Sequence, residues 1–420
     1  MINPQKINKH QISFLLSILL LVFSSSCQTT GPRNELVSSD KTPSVSNTFL
    51  APDQAIQVAL ETNTLKPPTR TPTPFPIDLK GKLSIQTDTQ LYLFDFDTYK
   101  LEEIQIRGIR LFSALIFSND GSKIVYAPSY ENHKNLYIYN RETGENTLIV
   151  SYEGQEAYLD GWNPPYSWSP DDKKIAFVSS QDGNSEINVV TLEDNNITNI
   201  SNNEAADETP DWSPYGEKIA FLSDRSGSLH IYIMNSDGSQ PRRITPLGFP
   251  EVEDSKWALY VREPTWSPDG KKLAFIAANK NDELDLFVID SDGNNLTQLT
   301  QSNDEFSFSF ENRVVWSPDS TKIAFSACVG LPSIANYEIY TVDVDTQTIT
   351  RMTFDDDNVS LDYSPVWING GNVILFFSGG SPPGLTQKDR LFAVDLLNDK
   401  KLIHLYDFPF DIVYFAEVFP

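Results

Sequence analysis

Outside the first 26 residues the chain has three histidines, His133, His230 and His404, in three separate segments. No two stand at the spacing of a metal pair or of a base beside a nucleophile. There is no His-Glu-x-x-His helix motif, no phosphate-cradling glycine loop and no Gly-x-Ser-x-Gly elbow. The two cysteines, Cys27 and Cys328, cannot form a zinc tetrad. No catalytic residue and no metal ligand set is assigned on these grounds, and no cofactor is expected. The nearest thing to a cation site is a set of turns: Asn235-Ser-Asp237-Gly238, Asp290-Ser-Asp292-Gly293 and Asp343-Val-Asp345-Thr346. They begin like calcium loops but lack the distal bidentate Glu. Hairpin chemistry, in which Asp and Gly accept a positive φ cheaply, accounts for them, with a divalent cation as the alternative.

A second constellation is acidic and aromatic. Glu204-Ala-Ala-Asp207-Glu208, Asp304-Glu305-Phe306 and Asp355-Asp-Asp357 with Asp362-Tyr363 precede runs of apolar residues, and longer insertions cover 156–166, 246–262 and 302–313. Residues of types that could serve a binding face are Asp207, Glu208, Trp257, Tyr260, Arg262, Asp304, Phe306, Glu311, Asp357 and Asp362. Tyr158, Trp162, Phe249 and Phe308 join them as aromatic anchors, or pad the loops instead. A carboxylate pair such as Asp207 with Asp362 is what glycoside chemistry would need, although no sequence rule brings these two within reach.

The elements that must position these residues are repeated. Trp168-Ser-Pro-Asp-Asp-Lys-Lys-Ile-Ala-Phe177 returns at 212–221, 266–275 and 316–325, with looser copies from Phe117 and Trp367. The period of about 44 to 54 residues is that of propeller blades and too long for helical pairs. Within one unit, Ile219-Ala-Phe-Leu reads as a buried strand, His230-Ile-Tyr-Ile-Met as an alternating strand and Arg242-Arg-Ile-Thr as an outer strand. Turns separate them. Glu208-Thr-Pro-Asp leads into an innermost strand. Four antiparallel strands cannot bury both faces alone, so successive units must stack around an axis. His230, at a strand start, is expected to be exposed without a partner, and Cys328 to be a buried thiol.

These repeats resemble the WD40-like PD40 repeats of TolB-type β-propellers, with the pattern WSPDGKxIAF followed by IYxxDxDG and LT. The resemblance covers roughly residues 80 to 420. It implies an all-β propeller of four-stranded antiparallel blades in which Trp168, Trp212, Trp266, Trp316 and Trp367 pack blade on blade. Six full copies are visible. A partial unit at Lys82–Ile104 lacks an innermost strand, and the residues from Ile412 to Phe419 are extended and apolar. Pairing the two would close the ring and remove two sheet edges, so seven blades are favoured over six.

Residues 1–26 read as an export signal: Lys6 and Lys9 precede the apolar stretch 12–23, then Ser24-Ser25-Ser26 and Cys27. The arrangement resembles a bacterial lipoprotein signal, with Cys27 as the lipidated residue. Residues 27–79, ending in Pro/Thr repeats such as Lys66-Pro-Pro-Thr-Arg-Thr-Pro-Thr-Pro-Phe-Pro, lack the apolar content to fold and suit a mostly disordered, semi-rigid spacer.

Net charge is −25, and more negative without residues 1–26, which carry two lysines and no acid. A nucleic acid or an anionic lipid surface demands the opposite sign. The sequence therefore predicts a non-catalytic, extracytoplasmic propeller, tethered to a membrane only through its lipid and binding an envelope protein or peptide at its loop-rich face. The alternative is a propeller that binds or acts on carbohydrate through acidic loops.

Overall fold

The computed structural model describes residues 78–420, except 88–89, 107–114, 128–134, 152–165, 181–182, 247–248, 250–263, 282, 303–305, 309–313, 330–336, 355–360, 380–388, 409–417 and 420. Its elements are almost entirely strands. In chain order they are β1 (Lys82–Gln86), β2 (Leu91–Asp95) and β3 (Lys100–Ile104); then β4 (Leu115–Phe117), β5 (Lys123–Tyr126), β6 (Asn135–Asn140) and β7 (Asn146–Ser151). A third group is β8 (Tyr166–Trp168), β9 (Lys174–Ser179), β10 (Glu186–Thr191) and β11 (Asn196–Asn199). A fourth is β12 (Asp207–Trp212), β13 (Lys218–Ser223), β14 (His230–Asn235) and β15 (Arg242–Arg243). The fifth is β16 (Thr265–Trp266), β17 (Lys272–Ala278), β18 (Leu284–Asp290) and β19 (Thr297–Gln298). Then follow β20 (Phe306–Ser307), β21 (Val314–Trp316), β22 (Lys322–Val329), β23 (Tyr337–Asp343), β24 (Ile349–Arg351), β25 (Leu361–Ile368), β26 (Val373–Gly379), β27 (Arg390–Asp395), β28 (Lys401–Asp407) and β29 (Val418–Phe419).

Five four-stranded antiparallel sheets stand separately, where the sequence predicts seven blades. Strands β20–β28 form one nine-stranded sheet instead. The reason is a single parallel bridge, Tyr337 to Leu361, which joins two antiparallel runs. The first sheet takes its fourth strand from the far end of the sequence: β29 pairs with β1, Lys82 opposite Phe419 and Leu83 opposite Val418. The fold is an all-β propeller of four-stranded antiparallel blades.

The second and third strands of the third, fourth and fifth sheets are covered on both faces, so they read as continuous apolar runs rather than alternating ones. Ile219, Ala220, Phe221 and Ile231 are fully buried, as are Leu273, Ala274, Phe275 and Leu286. Between sheets the core divides into separate clusters. One places Trp212, Ile219 and Phe221 against Ile187, Val189 and Ile200 of the preceding sheet.

The Trp-Ser-Pro-Asp phrase earns its recurrence through a turn. Ser169 Oγ donates to Asp171 Oδ1 at 2.6 Å and accepts the Lys174 N–H at 2.9 Å. Ser118, Ser267 and Ser317 repeat the pattern with Asp120, Asp269 and Asp319. Each turn also rests on its successor: a Cβ added at Gly216 would sit 3.5 Å from the Pro170 ring, and at Gly371 3.3 Å from the Pro318 ring.

Candidate functional site

The first, innermost strands adjoin one another in chain order, β8 beside β12, β12 beside β16, β16 beside β21 and β21 beside β25. The indole N–H groups bind these strands together. Trp168 Nε1 donates to the Ile116 carbonyl at 3.1 Å, Trp266 to Asp211 at 3.1 Å, Trp316 to Thr265 at 3.0 Å and Trp367 to Val315 at 3.0 Å. In each case the acceptor immediately precedes the first residue of the previous repeat's phrase. All five tryptophans, Trp212 included, are more than nine-tenths buried.

At the end where innermost strands begin, antiparallel pairing also gathers the end of the second strand, the start of the third and the end of the fourth. The third strand opens on a buried polar residue: Glu186, His230, Asp285 and Glu338, all 3 % exposed or less. Its partner is a hydroxyl at the end of the outer strand. Thr300 Oγ1 donates to Asp285 Oδ1 at 2.9 Å while accepting the Leu286 N–H at 2.9 Å. Thr353 does the same between Glu338 and Ile339, and Ser201 between Glu186 and Ile187. The acids then reach onward to the segment leading into the next repeat. Asp285 accepts the Ser302 N–H at 2.7 Å, and Glu186 accepts the Asn203 N–H at 2.9 Å. The bonds accepted by Asp285 and Glu186 thus fix the start of two lead-in loops.

The fourth sheet substitutes a histidine. His230 is not the exposed, partnerless residue predicted from its place at a strand start. It is 1 % exposed, with Nδ1 3.0 Å from Thr245 Oγ1 and Nε2 3.1 Å from Ser228 Oγ. Burial, reinforced by the nearby Arg243 charge, holds its pKa below the ordinary histidine value, so the ring is neutral at pH 7.

Asp207 and Asp362, named from sequence as channel-face binding residues, are 0 % and 2 % exposed. They occupy matching register positions, opposite Ser223 and Ser378. Asp207 is held by Arg225, whose Nη2 lies 2.6 Å from Oδ2 and Nε 3.2 Å from Oδ1. The guanidinium in turn lies 5.4 Å from the Phe221 ring centre. The carboxylate is therefore spent inside the sheet and cannot be presented to a partner. A buried carboxylate must be neutralised or paired, and Arg225 supplies the pair. Glu208, next along, is exposed.

Phe249 and Phe308 prove to be loop padding. Phe249 stands edge-on to Phe287 at 5.2 Å, and Phe308 lies 5.2 Å from Phe325. Phe306 falls in a two-residue strand, with its side chain outside the described residues. Trp257, Tyr260, Arg262, Asp304, Glu311, Asp357, Tyr158, Trp162, His133 and Cys27 also lie outside them, as do residues 1–77. Cys328 is a buried thiol outside any disulfide among the described residues. Among the described residues no group of three His, Cys, Asp or Glu is arranged to hold a metal ion.

The buried acid–hydroxyl pairs were missed from sequence. Their signal was present, since a polar residue stands just before each Ile-Tyr or Leu-Phe strand and a Ser or Thr closes each outer strand.

Residues 78–258 match the family model of the TolB β-propeller domain, PD40. Over 116 residues the chain is 28 % identical to an oligogalacturonide lyase of Pectobacterium atrosepticum, a match covering 24 % of this chain and 30 % of that enzyme. The chain thus spans under a third of that relative's length. Two solved structures match much of the chain. The oligogalacturonate lyase of Vibrio parahaemolyticus superposes with a TM-score of 0.53 at 15 % identity, covering 78 % of this chain and 86 % of that one. TolB of Acinetobacter baumannii gives a TM-score of 0.41 at 18 % identity, covering 81 % and 80 %. Over residues 78–258, then, this chain is similar to the PD40 domain of TolB-type β-propellers.

Proposed function

We propose that this protein is a non-catalytic, lipid-anchored extracytoplasmic propeller that binds an envelope protein or peptide at the end where the innermost strands begin. The observation that carries the reading is the fixing of the lead-in segments by Glu186 and Asp285. Loops pinned by buried charge lose little further entropy on binding, which is what a preformed recognition surface requires. Exposed Glu208 and the 68 % exposed Phe354 lie at that end, acidic and aromatic respectively. The tether rests on sequence: Cys27 as the lipidated residue and 27–79 as spacer.

In this reading the nine-stranded sheet is two blades, β21–β24 with β20 and β25–β28, giving seven in all, and the β29–β1 pair closes the ring. The indole of Trp367 reaching back to Val315, as Trp316 does to Thr265, supports the division.

Photo-crosslinkers placed at Glu208 and Phe354, and at Tyr215 on the opposite end, test the binding face in intact envelopes. Adducts at the first two positions alone are expected. Adducts at all three, or at Tyr215 only, would overturn it.

The second reading, action on a carbohydrate, is favoured by the 28 % identity to an oligogalacturonide lyase. Against it stands charge: a polyuronate is an anion and this chain carries −25, with Arg225 and Arg351 already paired to Asp207 and Glu338. Cleavage of polygalacturonate by the purified protein would decide for the second reading.

A further inference from the structure

We infer that the junction between β8 and β12 is a buried hydration site, built from Trp212, Ser167 and Thr209 and binding ordered water. The site is independent of the binding face proposed above.

Four of the repeat tryptophans donate their indole N–H to a fixed position, the residue just before the first residue of the preceding phrase: Ile116, Asp211, Thr265 and Val315. For Trp212 that position is Ser167, immediately before Trp168. Yet Trp212 Nε1 is buried with no hydrogen-bond partner, and so is Ser167 Oγ. Trp212 itself is 6 % exposed. The described residues contain four such orphaned buried side-chain atoms, and a third one, Thr209 Oγ1, is also on β12. Three of the four therefore sit on two neighbouring strands, at the one described junction where the indole staple is not made.

Side-chain alternation places Ser167 and Trp212 on facing sides of the junction. Tyr166 and Trp168 pack with Val125 and Ile138 of the preceding sheet. Ser167, between them, faces the other way, toward the sheet of β12. Trp212 packs back toward it, against Ala176, Ile187 and Val189. Thr209 lies in the bulge between Glu208 and Asp211, with φ of 50°, so the ladder is interrupted where its hydroxyl stands.

A buried polar atom left unpaired costs about 1 to 3 kcal/mol, and such groups in native proteins are regularly met by internal water. The donor set fits that guest. The indole can only donate, whereas each hydroxyl can donate or accept. One acceptor lone pair and two further bonds make up the roughly three contacts of a typical buried water. An anion would find three neutral donors and no positive charge among these three groups, and a cation would find two neutral hydroxyls and no carboxylate.

The test is a crystal structure of the full chain together with water-to-indole cross-relaxation in protein carrying 15N-labelled tryptophan. The Trp212 signal, among those of seven tryptophans, is assigned by its loss in Trp212→Phe. We expect a water at about 3 Å from Trp212 Nε1 and bonded to at least one of the two hydroxyls. In solution we expect a cross-peak to the Trp212 indole that is lost in a Ser167→Ala, Thr209→Val double variant. The Trp266 signal in that variant reports whether the fold persists. A Trp212 indole donating directly to the Ser167 carbonyl, or the cross-peak surviving the double variant, overturns the inference.

Discussion

The indole N–H of Trp266 donates to the main-chain carbonyl of Asp211, 55 residues earlier, at 3.1 Å. That bond joins two innermost strands in adjacent sheets, and its repetition at Trp316 and Trp367 makes it a joint of the array. Trp266→Phe keeps most of the apolar contact and removes the donor. The expected loss is about 1 to 2 kcal/mol, since the partly buried Asp211 carbonyl loses the indole bond. Trp266→Ala adds a cavity and should cost about 3 to 5 kcal/mol. Urea denaturation of both variants checks this; no loss in Trp266→Phe beside a full loss in Trp266→Ala would mean that the hydrogen bond contributes nothing beyond packing.

The Arg225–Asp207 pair makes a sharper prediction. Arg225→Met strands a fully buried carboxylate, and the expected destabilisation is about 3 to 5 kcal/mol. Asp207→Asn added to Arg225→Met removes the stranded charge and should recover more than half of that loss. Denaturation midpoints of the single and double variants decide it. A double variant no better than the single one would mean that Asp207 is not the group Arg225 serves.

A comparable case is Thr300, whose hydroxyl serves both Asp285 and the Leu286 N–H. Thr300→Val leaves the Leu286 N–H unpaired, removes one of the bonds to Asp285, and is expected to cost about 1 to 3 kcal/mol. It should also speed proteolysis of the adjoining lead-in segment, because Asp285 also anchors the Ser302 N–H. Cleavage unchanged in rate would separate the acid's structural role from the loop.

How far the sequence was legible depends on whether a residue's job repeats. The strands and turns of each unit were read from Ile219-Ala-Phe-Leu and the Ser-Pro-Asp phrase, because the same local physics operates several times over. Asp207 was misread. From sequence it is one of several acids before a strand, and only the sheet reveals that Arg225, 18 residues on, points at it. His230 was misread for a related reason: it is buried between Thr245 and Ser228, with Thr245 standing where Ser201 and Thr300 bind Glu186 and Asp285. The five separate sheets and the bridge from Tyr337 to Leu361 depend on where sheets touch, which no repeat unit encodes.

Two glycines in near-identical turns should behave differently. Gly238 has φ of 84°, and a Cβ there would fall 2.2 Å from the Ile200 carbonyl oxygen in the preceding sheet. Gly227 has φ of 93°, with nothing within 4 Å of its Cβ position. Gly227→Ala incurs only the backbone strain of a positive φ, about 1 to 2 kcal/mol. Gly238→Ala adds a clash with backbone and should lower the melting temperature clearly further. Similar shifts for both would show that the contact with Ile200 yields freely.

Acid should weaken the fold in two separate windows. His230 is held neutral by burial and by Arg243, so its folded pKa lies below that of the unfolded chain, near 6.5. As pH falls below about 6.5 the unfolded state takes up a proton that the folded state refuses, and stability declines until folded His230 titrates. His230→Gln, neutral throughout, should flatten the pH dependence between about 7 and 5. The second window belongs to the turn carboxylates. Asp120 is lowered to about 2, first by the Ser118 hydroxyl and then by the Ser122 N–H, and Asp171 and Asp319 are lowered by Ser169 and Ser317. Their contribution is present above the ordinary aspartate pKa of about 4 and disappears as pH falls toward 2. Asp120→Asn should therefore reduce the loss of stability below pH 4 and leave the upper window untouched. A variant that changed only the upper window would break the assignment of the two.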